Sequence, residues 1–156
     1  MKNPFALLSA WMLTFAACCA FAQTPAPGGR SASSAELIVT DAWVRVTPGS
    51  DVAAAYLTLR NPGRKPVTVT GVESSAASMA MIHETTVKSG MSRMRPHEEV
   101  VVEAGQTVKL QPDGLHIMLH GLSKPLSPGD SVPLLIRLKD GSSLRVSARV
   151  RPLNAQ

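Results

Sequence analysis

The sequence predicts a single all-β domain, a sandwich or Greek-key barrel. Short apolar runs with period-two alternation recur along most of the chain. Clusters of Gly, Pro, Asn and Asp separate them, and few windows show helical spacing.

The N-terminus is set apart from this pattern. Lys2 gives a positive start, Phe5 to Phe21 is almost wholly apolar, and Ala20-Phe21-Ala22 offers the small residues a signal peptidase reads. Residues 1–22 are therefore expected to be a signal peptide cleaved after Ala22. A retained membrane anchor would need a longer apolar run. Cys18 and Cys19 follow small residues, but Phe15 stands three before Cys18, where a lipobox has an aliphatic residue, so lipid attachment is the lesser reading. Cleavage removes both cysteines, so the mature protein has no disulfide and no thiolate, and any metal site must use His, Met, Asp or Glu. Residues 23–35, rich in Pro, Gly and Ser, read as a flexible linker. The folded domain is expected over 36–152.

Strands are expected in order. Leu37 to Val39 leads into Ala42 to Val46. Ala53 to Leu59, Pro66 to Val72, Ser78 to Val87 and Val100 to Glu103 follow. Then come Thr107 to Leu110, Leu115 to Leu119, Val132 to Leu138 and Leu144 to Val150. The breaks carry turn chemistry, for example Asn61-Pro62-Gly63, Pro112-Asp113-Gly114 and Asp140-Gly141. Ser89 to Glu99 lacks clear strand character and reads as a loop.

The formal net charge is +5, with the basic residues scattered singly and aromatics at 4%. No basic run is interleaved with aromatics, which argues against nucleic-acid binding. A solvated basic surface is the plain reading; docking on an acidic partner or an anionic membrane is the functional one.

The chemistry concentrates in one segment. Met1 and Met12 lie in the leader; the other five methionines and all four histidines fall between Met79 and His120. Within GLHIMLHGL, Leu115, Ile117 and Leu119 suit a core, so His116, Met118 and His120 face the other way. Met79, Met81 and His83 repeat the arrangement one strand earlier, and Met91, Met94 and His97 follow in the loop. Met79 and Met81 read best as core or rim filler, and His97 and His120 as neighbours of a site rather than ligands. His83, Met94, His116 and Met118 form a neutral set of two imidazoles and two thioethers, suited to a soft d¹⁰ ion such as Cu(I).

The spacing His83-x10-Met94-x21-His116-x-Met118 resembles that of the periplasmic copper(I) chaperones called PCuAC. The segments His83-Glu84-Thr85, Gly90 to Pro96 (GMSRMRP) and Pro112 to Leu122 (PDGLHIMLHGL) carry the resemblance, which extends from about Ile38 to Val150. It implies a cupredoxin-like, Ig-like Greek-key β-sandwich in the periplasm, a monomer without stable membrane insertion after cleavage. It implies one Cu(I) per chain at His83, Met94, His116 and Met118. Delivery would be to the binuclear copper site of cytochrome c oxidase subunit II, alone or with a Sco-type thiol protein. The sequence ends without a His/Met-rich tail, so the second, Cu(II) site of some family members is expected to be absent. His97 and His120 depart from the family pattern.

A carrier is expected rather than an enzyme. A blue-copper electron-transfer site would need a Cys thiolate, a copper oxidase would need more His and an open position, and no nucleophile elbow is present. The alternative is a copper-storage or resistance protein, or an interaction module on an Ig-like sandwich, without dedicated delivery.

Overall fold

The computed structural model describes residues 37–152; the expected leader and linker lie outside the described residues. Ten strands and no helix make up this part of the chain. They are β1 (Ile38–Val46), β2 (Val52–Arg60), β3 (Val67–Glu73), β4 (Ala77–Lys88), β5 (Met91–Pro96), β6 (Val100–Val102), β7 (Thr107–Leu110), β8 (Leu115–Leu122), β9 (Ser131–Leu138) and β10 (Ser143–Arg151). The all-β expectation holds, and nine of the strands fall where alternation placed them.

The exception is β5. The segment expected to be a loop is the second arm of a hairpin, paired antiparallel with β4 from His83↔Pro96 to Lys88↔Met91. Every residue of β5 is exposed, so it buries no apolar face and leaves no alternation to read. Backbone pairing with β4 fixes its course. Ser89 and Gly90, both at positive φ, make the two-residue turn.

Neighbouring strands run β5-β4-β8-β2-β1-β10-β9-β3-β6, with β7 also on β2. The pairs are antiparallel except β1 with β10. One set of alternate side chains builds a single core: Val44, Leu57, Val69, Val102, Ile117, Leu134 and Val150 are nearly inaccessible. Burying an aliphatic side chain of this size stabilises by roughly 1.5–3 kcal/mol each. The alternate residues of β1, β2, β8, β4 and β5 face the opposite way and build the site.

Two local features shape that outer face. β2 pairs β8 over Val52 to Ala55 and β7 over Leu57 to Arg60. Between Leu110 and Ile117 the chain loops out opposite Tyr56, closed by Gln111 N–H donating to Leu115 O at 2.7 Å. At the other end of β8, Gly121 has φ 63°, and a Cβ there would strike Ser78 Oγ. Glycine is required at this position on both counts.

Candidate metal centre

Register brings the imidazoles together. In the β4–β8 pair, His83 lies opposite His116, Met81 opposite Met118 and Met79 opposite His120. Directly opposed residues share a face. Ile82 and Ile117 point into the core between them, which holds the register against slipping. In the β4–β5 hairpin, Met94 lies opposite Thr85, two positions beyond His83 on the same face. All four residues singled out in the sequence therefore share one face of the β5-β4-β8 ribbon.

The two histidines are the buried members, 9% exposed for His83 and 4% for His116. Their rings stack with centroids 6.1 Å apart. With a metal–nitrogen bond of about 2.0 Å, two imidazoles sharing one ion have centroids no more than about 6.4 Å apart, so this spacing is within reach. His116 Nδ1 lies 3.0 Å from Gly114 O. A carbonyl only accepts, so Nδ1 carries the proton and Nε2 keeps a free lone pair. His83 Nδ1 is buried and makes no well-formed hydrogen bond, although the Met81 backbone acts weakly on the ring. Burial, then the neighbouring His116 and His120, pushes the His83 pKa below the usual imidazole value, favouring the neutral form a metal requires.

The sulfurs are more open. Met118 is half-buried, and Met94 is 53% exposed on the edge strand. Met94, His116 and Met118 line one groove of about 390 Å³, together with Ala54, Tyr56, Thr85, Ser92 and Asp113. His83 lies beside His116 on the neighbouring strand and does not line the groove. Among the described residues no three His, Cys, Asp or Glu side chains converge as a metal cage. A metal held here would depend on thioethers, and thioether–imidazole sets prefer soft monovalent ions.

The neighbours sort by strand parity. His120 stays on this face, its ring 6.4 Å from that of His83. Met79 and Met81 flank it; Met79 is 52% exposed, so it forms the rim and fills no core. His97 turns to the other face, where its Nδ1 lies 3.8 Å from Glu84. Met91 also lies on that other face, opposite Lys88 and beside Arg93 and Arg95; it does not belong to the methionine rim.

Sequence reading missed an aromatic row leading into the site. Trp43 and Tyr56 pack with centroids 4.5 Å apart and planes tilted by 35°, and Tyr56 lies 6.4 Å from the His116 ring. The parity of Trp43 and Tyr56 within their strands was the available signal, since both fall opposite the core positions Val44 and Ala55.

An all-β domain with a surface imidazole–thioether face is the class of protein this geometry defines. The LpqE-like family profile matches residues 37–150, and the chain belongs to that family, which is the PCuAC family. The chain is 38% identical to "Putative lipoprotein Lxx21020" of Leifsonia xyli subsp. xyli, over 85% of this chain and 76% of that protein. The Cu(I) form of DR1885 from Deinococcus radiodurans, a solution structure, is 31% identical with a TM-score of 0.60, covering 82% of this chain and 85% of that one. The copper-bound PCuAC domain from PmoF2 shares the fold at 18% identity and a TM-score of 0.62, covering 74% of this chain and 92% of that one.

Proposed function

We propose that this protein is an exported copper chaperone that binds one Cu(I) through His83, Met94, His116 and Met118. The observation that carries the proposal is the pair of buried imidazoles 6.1 Å apart. One has its proton committed to a carbonyl, and the other has a ring nitrogen without a well-formed hydrogen bond. The relative DR1885, solved with Cu(I), supports the choice of ion. The recipient we propose is the binuclear copper site of cytochrome c oxidase subunit II, reached alone or with a Sco-type thiol protein. Export precedes this, with cleavage after Ala22; lipid attachment, the property in the name of the Leifsonia relative, is distinguished from it by the mass of the mature N-terminus.

A carrier must hold copper and then release it. The buried imidazoles supply strength, and the thioethers need no deprotonation. Met94, exposed on an edge strand, is the ligand a partner's thiolate or imidazole replaces first. The protein acts as a carrier rather than a catalyst. Equilibrium dialysis of Cu(I) against a competing chelator tests this. One copper per chain is expected, held more weakly on combining Met94→Leu with Met118→Leu. Absence of stoichiometric copper would leave an interaction module and overturn the proposal.

A further inference from the structure

The groove that ends at Met94, His116 and Met118 begins at Arg45. Arg45 lies opposite Ala54, and Ala54 opposite Met118, so the three form one row across β1, β2 and β8. Ala54 makes a low floor between a cation at one end and the soft ligands at the other. Arg151 continues the row on β10, beside Arg45, and Arg149 lies beside Trp43.

These cations are fixed in place. The Arg45 guanidinium sits over the Tyr56 ring at 5.4 Å and donates Nη2–H to Tyr56 Oη at 2.8 Å. Arg151 sits over Trp43 at 5.1 Å. Both are partly buried. Among the described residues the carboxylates in ion pairs are Glu73, Glu84 and Glu99, bound to Arg137, His97 and Lys139. None pairs with Arg45, Arg149 or Arg151. Asp113, in the loop before β8 opposite Tyr56, lines the same groove and lies close enough to act on the Tyr56 hydroxyl, yet it forms no ion pair with either arginine. Two preorganised guanidiniums on adjacent strands, neither held in an ion pair, present the fork geometry that binds carboxylates bidentately.

We propose that this groove docks an extended acidic segment of the copper-accepting protein. A partner carboxylate lies against Arg45 and Arg151, and a thiol or imidazole of the same segment reaches His116 and Met118. The proposal rests on the reading of that end of the groove as the copper site. Geometry sets the spacing. A point between Arg45 and Arg151 lies two and a half strand spacings from Met118, about 12 Å, and four residues of extended chain rise about 13 Å with the end side chains on one face. The partner's carboxylate is therefore four residues from its metal-binding side chain. A bilayer would also meet the arginines, but a flat anionic surface offers no such spacing and would cover the site that must exchange its ligand.

The test uses ten-residue peptides of Gly and Ser carrying Cys and, four positions away, either Glu or Gln. Each is titrated against ¹⁵N-labelled mature chain, apo and Cu(I)-loaded, under reducing conditions. The Glu peptide should shift Arg45, Tyr56 and Met118 resonances in the apo chain and bind at least about tenfold more tightly than the Gln peptide, as expected for a charge-assisted pair. Arg45→Gln with Arg151→Gln should erase the difference; the peptide comparison leaves the protein untouched, so a folding defect in that variant does not cloud the result. Equal binding of the two peptides, or binding of neither, overturns the proposal. So does sedimentation with phosphatidylglycerol vesicles through the same arginines without a Glu preference. The apo titration reads the arginine end even if the chain takes no copper, which separates failure of the docking proposal from failure of the copper reading.

Discussion

Replacing His83 by Leu should stabilise the apo protein and weaken the copper-loaded one. His83 is 9% exposed, and its Nδ1 makes no well-formed hydrogen bond. A buried polar atom without a hydrogen bond costs about 1–3 kcal/mol. A leucine removes that cost, offset by imperfect fit of up to about 1.5 kcal/mol. The net expectation is a gain of about 1 kcal/mol, or about 3–6 °C in Tm for a domain of this size. With Cu(I) the order reverses. Free ion at a hundred times Kd adds about 2.7 kcal/mol to the parent and little to a variant lacking one of two imidazoles. Paired thermal melts, with and without Cu(I) under a chelator buffer, read both quantities. An apo variant less stable than the parent by more than 1 kcal/mol would refute the reasoning, because the imidazole would then be serving the fold.

Gly121→Ala should cost about 2–3 kcal/mol in urea denaturation: about 1–2 for a Cβ at positive φ, and the rest from disturbing the Ser78 hydroxyl, which donates to His120 O at 3.0 Å. Apo stability should form a plateau in pH. Burial, then His116 and His120, lowers the His83 pKa from 6.5, so the unfolded chain takes a proton first as pH falls. Stability is then complete above 6.5 and lost below it. Burial raises the Tyr56 pKa from 10.0, with Arg45 opposing, so the unfolded chain ionises first and stability declines above pH 10. Urea midpoints from pH 5 to 11 should show both edges, and the acid edge should flatten in His83→Leu.

How much of this was legible depended on whether a strand buries anything. β2, β3, β8 and β9 each put alternate aliphatics into the core, and their sequences show it. β5 reads Met-Ser-Arg-Met-Arg-Pro and is exposed throughout; its structure comes from its partner, which local sequence does not encode. That omission also hid the parity of the segment. Once β5 is a strand, Met94 turns to the site face while Met91 and His97 turn away from it. The common face of His83, His116 and Met118 was readable from alternation. Their opposition was not, because register is set by how Ile82 and Ile117 pack in three dimensions. The arginines resting on Trp43 and Tyr56 were invisible for the same reason: β1 and β10 are distant in sequence and meet only in the folded sheet.

X-ray absorption of the Cu(I)-loaded mature protein tests most directly whether one ion sits between these side chains. Mixed nitrogen and sulfur scattering is expected, with sulfur falling in each of Met94→Leu and Met118→Leu and vanishing when they are combined. Scattering from nitrogen or oxygen alone in the parent, or sulfur unchanged in the double variant, would contradict it.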